Sequence, residues 1–466
     1  MSTTAGSGVE VVAIDTPALG DRSYLAHDGD VALVVDPQRD TDRVLALAAA
    51  RGVRITHVFE THLHNDYVTG GLALALATGA AYHVNAADQV AFDRVPVSDG
   101  GMIEVSPVMR VRVVATPGHT FTHLSYVLEA AGHPHAVFTG GSLLYGSTGR
   151  PDLLGRAYAG ELAHAQYASA HRLAAELPGD ADVYPTHGFG SFCSATQAEG
   201  TSSTIAREMR VNPALILDEQ RYVAELLAGL DAYPAYYAHM GPANAAGPSG
   251  ADLSPPRRAD AAEIRQRIEA GEWVVDLRAR RAFAAGHLAG TLGFDLDGSF
   301  ATYLGWLIPW GTPLTLLGQT PEQVADAQRE LVRIGIDHPA AAATGRPEDW
   351  AAGRPLRRYP VADFAALEAV RRHRPVVILD VRRDLEWADS RISGAVHIPL
   401  HQLPARLPEV PAGEVWVHCA AGYRASVAAS FLDAAGRAVV VVDDEYDRAA
   451  RAGLPIDGPL AQAAAK

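Results

Sequence analysis

One repeat within the chain constrains its fold more than any other feature. The stretch "VVDLRARRAFAAGHLAGT" at 274–291 aligns without gaps on "ILDVRRDLEWADSRISGA" at 378–395, pairing Asp276 with Asp380, Arg278 with Arg382, Phe283 with Trp387 and Gly290 with Gly394. Duplication of a whole domain explains this best. In each copy a short apolar run ends in Asp-x-Arg and leads into a helix-like segment and a further strand, the alternation of an α/β domain with a parallel sheet. A length of 466 residues gives a prior of roughly three domains. Two stretches rich in Pro, Gly and Ala, 241–258 and 343–358, read as linkers. The expected division is 1–240, 259–342 and 357–460.

The chain is 48% apolar and 20% charged, a composition for soluble globular domains, and no apolar run approaches the roughly 18 residues of a membrane span. The start, "MSTTAGSGVEVVAID", has no basic or apolar leader pattern, so a cytoplasmic location is expected. A net charge of -15 disfavours nucleic acid and anionic membranes as partners, since both reward clustered Lys and Arg. With only two cysteines, Cys193 and Cys419, no disulfide framework is expected and each thiol is judged singly.

The first 240 residues read differently from the repeat. A hairpin is expected at Asp28-Gly29 and an amphipathic helix in "TDRVLALAAARGV". Four apolar strands then end in polar turns: "THVFETHLHND", "VRVVATPGHT", "HAVFTGGS" and "DVYPTHG". Three of these turns carry histidine: His62 and His64 with Asp66, then His119, then His187. Strand ends on one side of a sheet bring residues distant in sequence together, and such a set points to a metal site.

The pattern resembles the metallo-β-lactamase superfamily, with its αββα sandwich. Through "ETHLHNDYVTG", "TPGHT", "FTGGSLLYGSTGRPDL" and "YPTHGFGSFC" it is most similar to the persulfide dioxygenases, and next to the glyoxalase II thioesterases. Two positions depart from the family. Tyr67 stands where a histidine would hold a second metal, which disfavours a two-zinc hydrolase. Gly141 stands where the resemblance implies a carboxylate that holds Fe(II) together with His62 and His119. Three outcomes follow: a metal on His62, His64 and His119; water or substrate in the gap beside His62 and His119; or an empty, structural site. Fe(II), one per chain, is the expected cofactor and Zn(II) the alternative. Asp152 matches a loop residue that is not a ligand, and Cys193 reads as a small packed residue.

"VWVHCAAGYRASVAASFL" at 415–432 is the second chemical signal: a buried strand, the loop from Cys419 to Arg424, then a helix. Loop N–H groups, the helix N-terminus and Arg424 all favour an anionic, nucleophilic sulfur at Cys419. A C-x-x-x-x-R loop also suits a tyrosine phosphatase, but "LDVRRDLEWADSRISGAVHIP" before it resembles the rhodanese family, in which such a cysteine carries sulfane sulfur; Arg391 replaces a usual histidine. In the first copy Gly318 lies near the cysteine position, so that domain is expected to be an inactive rhodanese.

The resemblance implies a metallo-β-lactamase-fold domain followed by two rhodanese-like α/β domains with parallel sheets, the second one active. The expected activity is oxidation of a low-molecular-weight persulfide such as glutathione persulfide to sulfite, coupled to sulfur transfer through Cys419 in either direction. The expected partners are a small-molecule persulfide or thiol, sulfite or thiosulfate, and further copies of the chain in a homo-oligomer. The rivals are a sulfurtransferase with a metal-deficient scaffold domain, a mononuclear thioester hydrolase, and a non-catalytic sulfur carrier.

Overall fold

The computed structural model describes residues 8–195 and 200–459. The reading of the chain's start rests partly on residues 1–7, and the expected last boundary at 460 also lies outside the described residues. The chain divides into two compact units, Met1–Asp252 with Leu331–Gly335, and Leu253–Glu330 with Ile336–Lys466.

The first unit is built on two six-stranded sheets. The first sheet runs in chain order: β1 (Glu10–Thr16), β2 (Asp21–His27), β3 (Val31–Val35), β4 (Arg54–Phe59), β5 (Ala81–Asn85) and β6 (Val95–Val97). The second comprises β7 (Met102–Glu104), β8 (Met109–Ala115), β9 (Leu124–Ala130), β10 (His133–Gly140), β11 (Asp182–Pro185) and β12 (Ser203–Thr204), also neighbouring in sequence order. The hairpin between β2 and β3 turns at Asp28-Gly29, where Gly29 has φ +98° and Asp28 Oδ1 accepts from the amides of Asp30 and Val31.

The two-residue period of a strand explains the layering. In β3, "VALVV", Val31, Leu33 and Val35 join Tyr126, Leu128 and Phe138 of the second sheet in a core between the sheets. Ala32 and Val34 face the other way, onto the helices Asp42–Arg51 and Gly71–Thr78. On the outside of the second sheet, Val127 and Val137 pack against Ala163, Ala170 and Leu173 of the helix Ala159–Glu176. Each large apolar side chain buried in this way contributes about 1.5–3 kcal/mol, and the sum is an αββα sandwich.

The second unit carries two parallel sheets. One has the order β14-β13-β15-β16, from β13 (Trp273–Asp276), β14 (Leu292–Gly293), β15 (Leu314–Gly318) and β16 (Ala341–Thr344). The other has the order β17-β22-β21-β18-β20, from β17 (Val361–Ala362), β18 (Val377–Asp380), β20 (Val396–His397), β21 (Val415–His418) and β22 (Val439–Val442). A short antiparallel pair, β19 (Arg391–Ile392) and β23 (Ile456–Asp457), stands beside it.

Both expected linkers need correction. Residues 241–246 complete the helix Tyr237–Ala246 despite Pro242, because buried Asn244 holds it in place: its amide donates to the carbonyls of His64 and Tyr67 and accepts from Thr69 N–H. In the second stretch, Ala343 and Thr344 belong to β16, and the helix Pro347–Ala351 buries Trp350. Tertiary contacts override a composition that lacks periodicity.

Candidate metal centre and cysteine loop

The metal-site candidates stand at neighbouring strand ends: His62 and His64 after β4, His119 after β8, Gly141 after β10 and His187 after β11. A residue the sequence reading missed, Asp36 after β3, ties them together. Its carboxylate accepts from Thr61 N–H (2.7 Å), Thr61 Oγ1 (2.7 Å) and Thr186 Oγ1, so one buried anion fixes the turns before both His62 and His187. It also sits in the left-handed region at φ +50°, a cost of order 1–3 kcal/mol that such a network must outweigh.

The histidines fall into two electrostatic kinds. His64 Nε2 lies 3.2 Å from Asp36, 3.3 Å from Glu60 and 2.9 Å from the Tyr67 hydroxyl. Burial opposes a charge there, yet Asp36 and Glu60 outweigh it and push His64 up to about 9. His187 Nδ1 lies 2.9 Å from Asp21 and 3.2 Å from Asp66, which against burial push it up to about 10. Burial and Asp66 push the Asp21 carboxyl up to about 7, while His187 holds Asp66 well below the usual carboxylate range in spite of its burial. By contrast, burial and the neighbouring imidazoles push His62 well down, and burial with His187 pushes His119 down to about 3. His62 and His119 therefore present neutral rings, the form that binds a metal.

His119 is held in a slot. Its Nδ1 donates to the Arg150 carbonyl at 2.8 Å, so the buried Nε2 carries the lone pair, and that atom has no hydrogen-bond partner. A Cβ on Gly141 would stand 2.6 Å from His119 Cγ, and one on Gly149 would stand 2.7 Å from its Nδ1. The ring fills the space in which an aspartate at 141 would start. His123, also missed, fixes this backbone: its Nε2 accepts from Gly141 N–H at 3.0 Å, and its Nδ1 meets Thr116 Oγ1 at 2.9 Å.

Four clusters of potential ligands form among the described residues: His62, His64 and His187; His119, His187 and Cys193; Asp21, Asp66 and His187; and Asp36, Glu60 and His64. The expected trio of His62, His64 and His119 is not one of them; His62 and His64 share theirs with His187, and His119 shares its own with His187 and Cys193. His62 Nε2 and His187 Nε2 lie 3.5 Å apart. An orphaned, buried Nε2 on His119 beside the neutral His62 ring, 4.8 Å away between centroids, fits a metal. Asp152 lies aside, in a two-point ion pair with Arg150. Cys193 is fully buried, and burial with the Asp66 and Asp21 charges pushes its thiol well up.

Cys419 follows β21 directly and is 2% exposed. The loop turns at Gly422, φ +89°, into the helix Tyr423–Ala434, and the Tyr446 amide donates to the Ala420 carbonyl to hold it. Arg424 does not stand free: its guanidinium grips Glu386 at two points, 2.6 and 2.7 Å. Glu386 escaped the sequence reading, although its place three residues into the helix after Arg383 was a signal. The helix Phe300–Leu307, from between β14 and β15, brings Tyr303 to this site: its ring stands 5.7 Å from that of Tyr423 and its hydroxyl feels both Arg424 and Cys419.

Comparison with known proteins matches both domains. A family model for the metallo-beta-lactamase superfamily matches residues 18–187, and one for the rhodanese-like domain matches 365–451. The chain is 30% identical to the human mitochondrial persulfide dioxygenase ETHE1 over 229 residues, 48% of this chain and 83% of that protein. It is 34% identical to a hydroxyacylglutathione hydrolase of Polaromonas sp. over 161 residues, 34% of this chain and 57% of that protein. A solved metallo-beta-lactamase from Staphylococcus aureus superposes with a TM-score of 0.65 at 26% identity, covering 72% of this chain and 99% of its own. Among the described residues no helix is long and apolar enough to cross a membrane.

Proposed function

The chain belongs to the metallo-beta-lactamase superfamily and carries a rhodanese-like domain, and from that premise we propose that it oxidises a low-molecular-weight persulfide and transfers sulfane sulfur through Cys419. One observation carries the reading. The same chain holds a buried histidine pocket with an orphaned Nε2 on His119 and a nucleophile at the head of a loop that opens a helix. In the first reaction a persulfide such as glutathione persulfide, dioxygen and water give a thiol, sulfite and two protons. In the second, Cys419 Sγ attacks a sulfane sulfur; the new S–S bond forms as the donor's S–S bond breaks, and the donor leaves with the proton. Sulfite then takes the outer sulfur as thiosulfate and returns the thiol.

His62 and His119 would hold the metal, and an iron(II) bound there supplies the electrons and open positions that dioxygen chemistry requires. The remaining residues act on charge and position. Asp36 orients the turns before His62 and His187 through Thr61 and Thr186. His64 and His187, both pushed up by their carboxylates, offset those buried anions and leave the pocket able to accept an anionic persulfide. Around Cys419, the helix N-terminus favours negative charge on the outer sulfur, and Glu386 fixes Arg424 in one orientation. The Tyr67 hydroxyl donates to the Asp36 carbonyl and lies 2.9 Å from His64 Nε2, where a second-metal ligand would stand, which disfavours a two-metal hydrolase.

The test is oxygen uptake by anaerobically Fe(II)-loaded protein on addition of glutathione persulfide, with bound iron and released sulfite quantified. Uptake that disappears in His62→Ala supports the reading. Iron without uptake leaves a sulfurtransferase with a scaffold domain, and hydrolysis of an acyl-glutathione makes the pocket a thioesterase.

A further inference from the structure

The sandwich has lost its expected anionic ligand at Gly141, and a second thiol lies where a replacement would stand. We infer that Cys193 is a metal ligand, supplying as a thiolate the negative charge that residue 141 cannot.

The geometry is specific. Cys193 Sγ and one ring nitrogen from each of His119 and His187 lie within 4.8 Å of one another, all fully buried. His119 Nε2 is an independent sign of a missing occupant, because it is buried without a hydrogen-bond partner. One residue fixes both sides of the pocket: the Arg150 carbonyl accepts from His119 Nδ1 at 2.8 Å, while the Arg150 amide donates to the Cys193 carbonyl at 2.8 Å. The Arg150 side chain is in turn locked by Asp152, so the two ligands are set by a shared support of the kind metal sites use. Ser191 Oγ accepts from the Cys193 amide at 3.2 Å and fixes the turn.

Charge argues in the same direction. A divalent cation on imidazoles alone leaves its charge uncompensated in a dry pocket, which is costly. The nearest carboxylates, Asp21 and Asp66, each give one oxygen to His187 Nδ1, and their other oxygens, Asp21 Oδ2 and Asp66 Oδ1, are buried without a hydrogen-bond partner. A thiolate at Cys193 is an anion placed to bind the cation directly, in the cluster with His119 and His187, and a soft sulfur beside imidazoles suits Fe(II), Zn(II) or Co(II). On binding, the Sγ–H bond breaks and an Sγ–metal bond forms, the His187 ring gives up the proton on the nitrogen that faces the metal, and both protons leave to solvent. The missing side chain at Gly141 does not oppose this, since the His119 ring already occupies the path of a side chain there.

The inference concerns the metal pocket that the proposed function rests on, but it is tested without turnover. The full-length protein is titrated anaerobically with Co(II), with bound metal measured and the near-ultraviolet sulfur-to-cobalt charge-transfer band recorded. The chain has two cysteines, so the assignment is clean. The wild type and Cys419→Ser are expected to show the band, and Cys193→Ser to lose it while binding Co(II) roughly 10–100-fold more weakly. Circular dichroism checks that Cys193→Ser is folded, and Cys193→Ala repeats the test with no oxygen ligand. Cobalt bound without the band, a band that follows Cys419, or no cobalt bound would each overturn the inference. Oxygen uptake by the iron-loaded wild type in the first of these cases would leave the proposed function standing.

Discussion

The two copies of the repeat keep the same frame and differ in everything a sulfur-transfer site needs. In each, the buried Asp of Asp-x-Arg receives its own arginine at two points: Arg278 on Asp276 and Arg382 on Asp380. The same arginines reach forward to the Gly286 and Ser390 carbonyls, and Gly290 and Gly394 turn at φ +84° and +80°. Register then locates the missing nucleophile: Asp276 pairs with Leu317 where Asp380 pairs with His418, so Gly318 occupies the position of Cys419. Two residues separate Gly318 from the next helix at Pro321, against three between Cys419 and Tyr423. The Gln319 amide donates to Gln323 Oε1 and is spent. The repeat also pairs Glu386, the anchor of Arg424, with Ala282. Nucleophile, loop length, cation and anchor are absent as a set, while the framework pair survives, so the two roles separate cleanly.

The largest effect comes from crossing the copies at the nucleophile. Cys419→Ser is expected to reduce thiosulfate:cyanide sulfur transfer to background, because the covalent step has no other carrier. Gly318→Cys is expected to restore nothing: a Cβ there stands 2.9 Å from Val324 Cγ2, and the loop is one residue short. Persulfide on the introduced thiol of the Gly318→Cys variant, detected by mass spectrometry, would show that loop length and Arg424 matter less than the cysteine.

The framework pair should behave alike in both copies. Arg278→Ala and Arg382→Ala each strand a buried carboxylate, at a cost of about 3–5 kcal/mol. Urea unfolding of each variant checks this, and a cost confined to one copy would break the equivalence. Glu386 has no acidic counterpart in the first copy, where Ala282 aligns with it, so Glu386→Gln acts on the Cys419 loop alone. Losing a charge-assisted bond of about 1.5 kcal/mol predicts a roughly tenfold fall in kcat/KM. In spite of its burial, Arg424 holds the Glu386 carboxyl down to about 2, from 4.5. Since the folded value is the lower one, the pair's stabilisation is complete above 4.5 and is lost as pH falls toward 2. The wild type should show no acid limb near pH 4.5 from this group.

What the sequence disclosed follows the range of the interactions. Asp276, Asp380, Cys419, the Asp28-Gly29 hairpin and the helix that became Asp42–Arg51 depend on neighbours or on one strand partner, and local patterns encode such features. His62, His64, His119 and His187 were recognisable as strand-end histidines, but their division into neutral and charged rings was not, since it comes from Asp36, Glu60, Asp21 and Asp66 on other turns. Asp36 itself reads as an ordinary residue after a strand; its role appears only when Thr61 and Thr186 converge on it. Asn244 was hidden in a stretch that looked like linker because its partners lie about 180 positions earlier, with |i−j| of 175, 177 and 180.

The smallest effect asks whether the copy without a cysteine serves the copy that carries Cys419. Burial raises the Tyr303 hydroxyl while Arg424 and Arg383 oppose that rise, and Cys419 and Glu386 are within its electrostatic reach. Nearby, Trp306 stacks on His401 at 4.9 Å and the Tyr423 hydroxyl donates to the Asp295 carbonyl at 3.1 Å. Tyr303→Phe removes only the hydroxyl and keeps the ring beside Tyr423. A neutral hydrogen bond of about 0.5–1.5 kcal/mol predicts a change of less than roughly tenfold, seen in KM for the sulfur donor with kcat unmoved, as expected of a group that meets substrate and transition state equally. An equal fall in kcat and kcat/KM would instead place the hydroxyl in the transfer step, and would make the copy without a nucleophile a contributor to the chemistry.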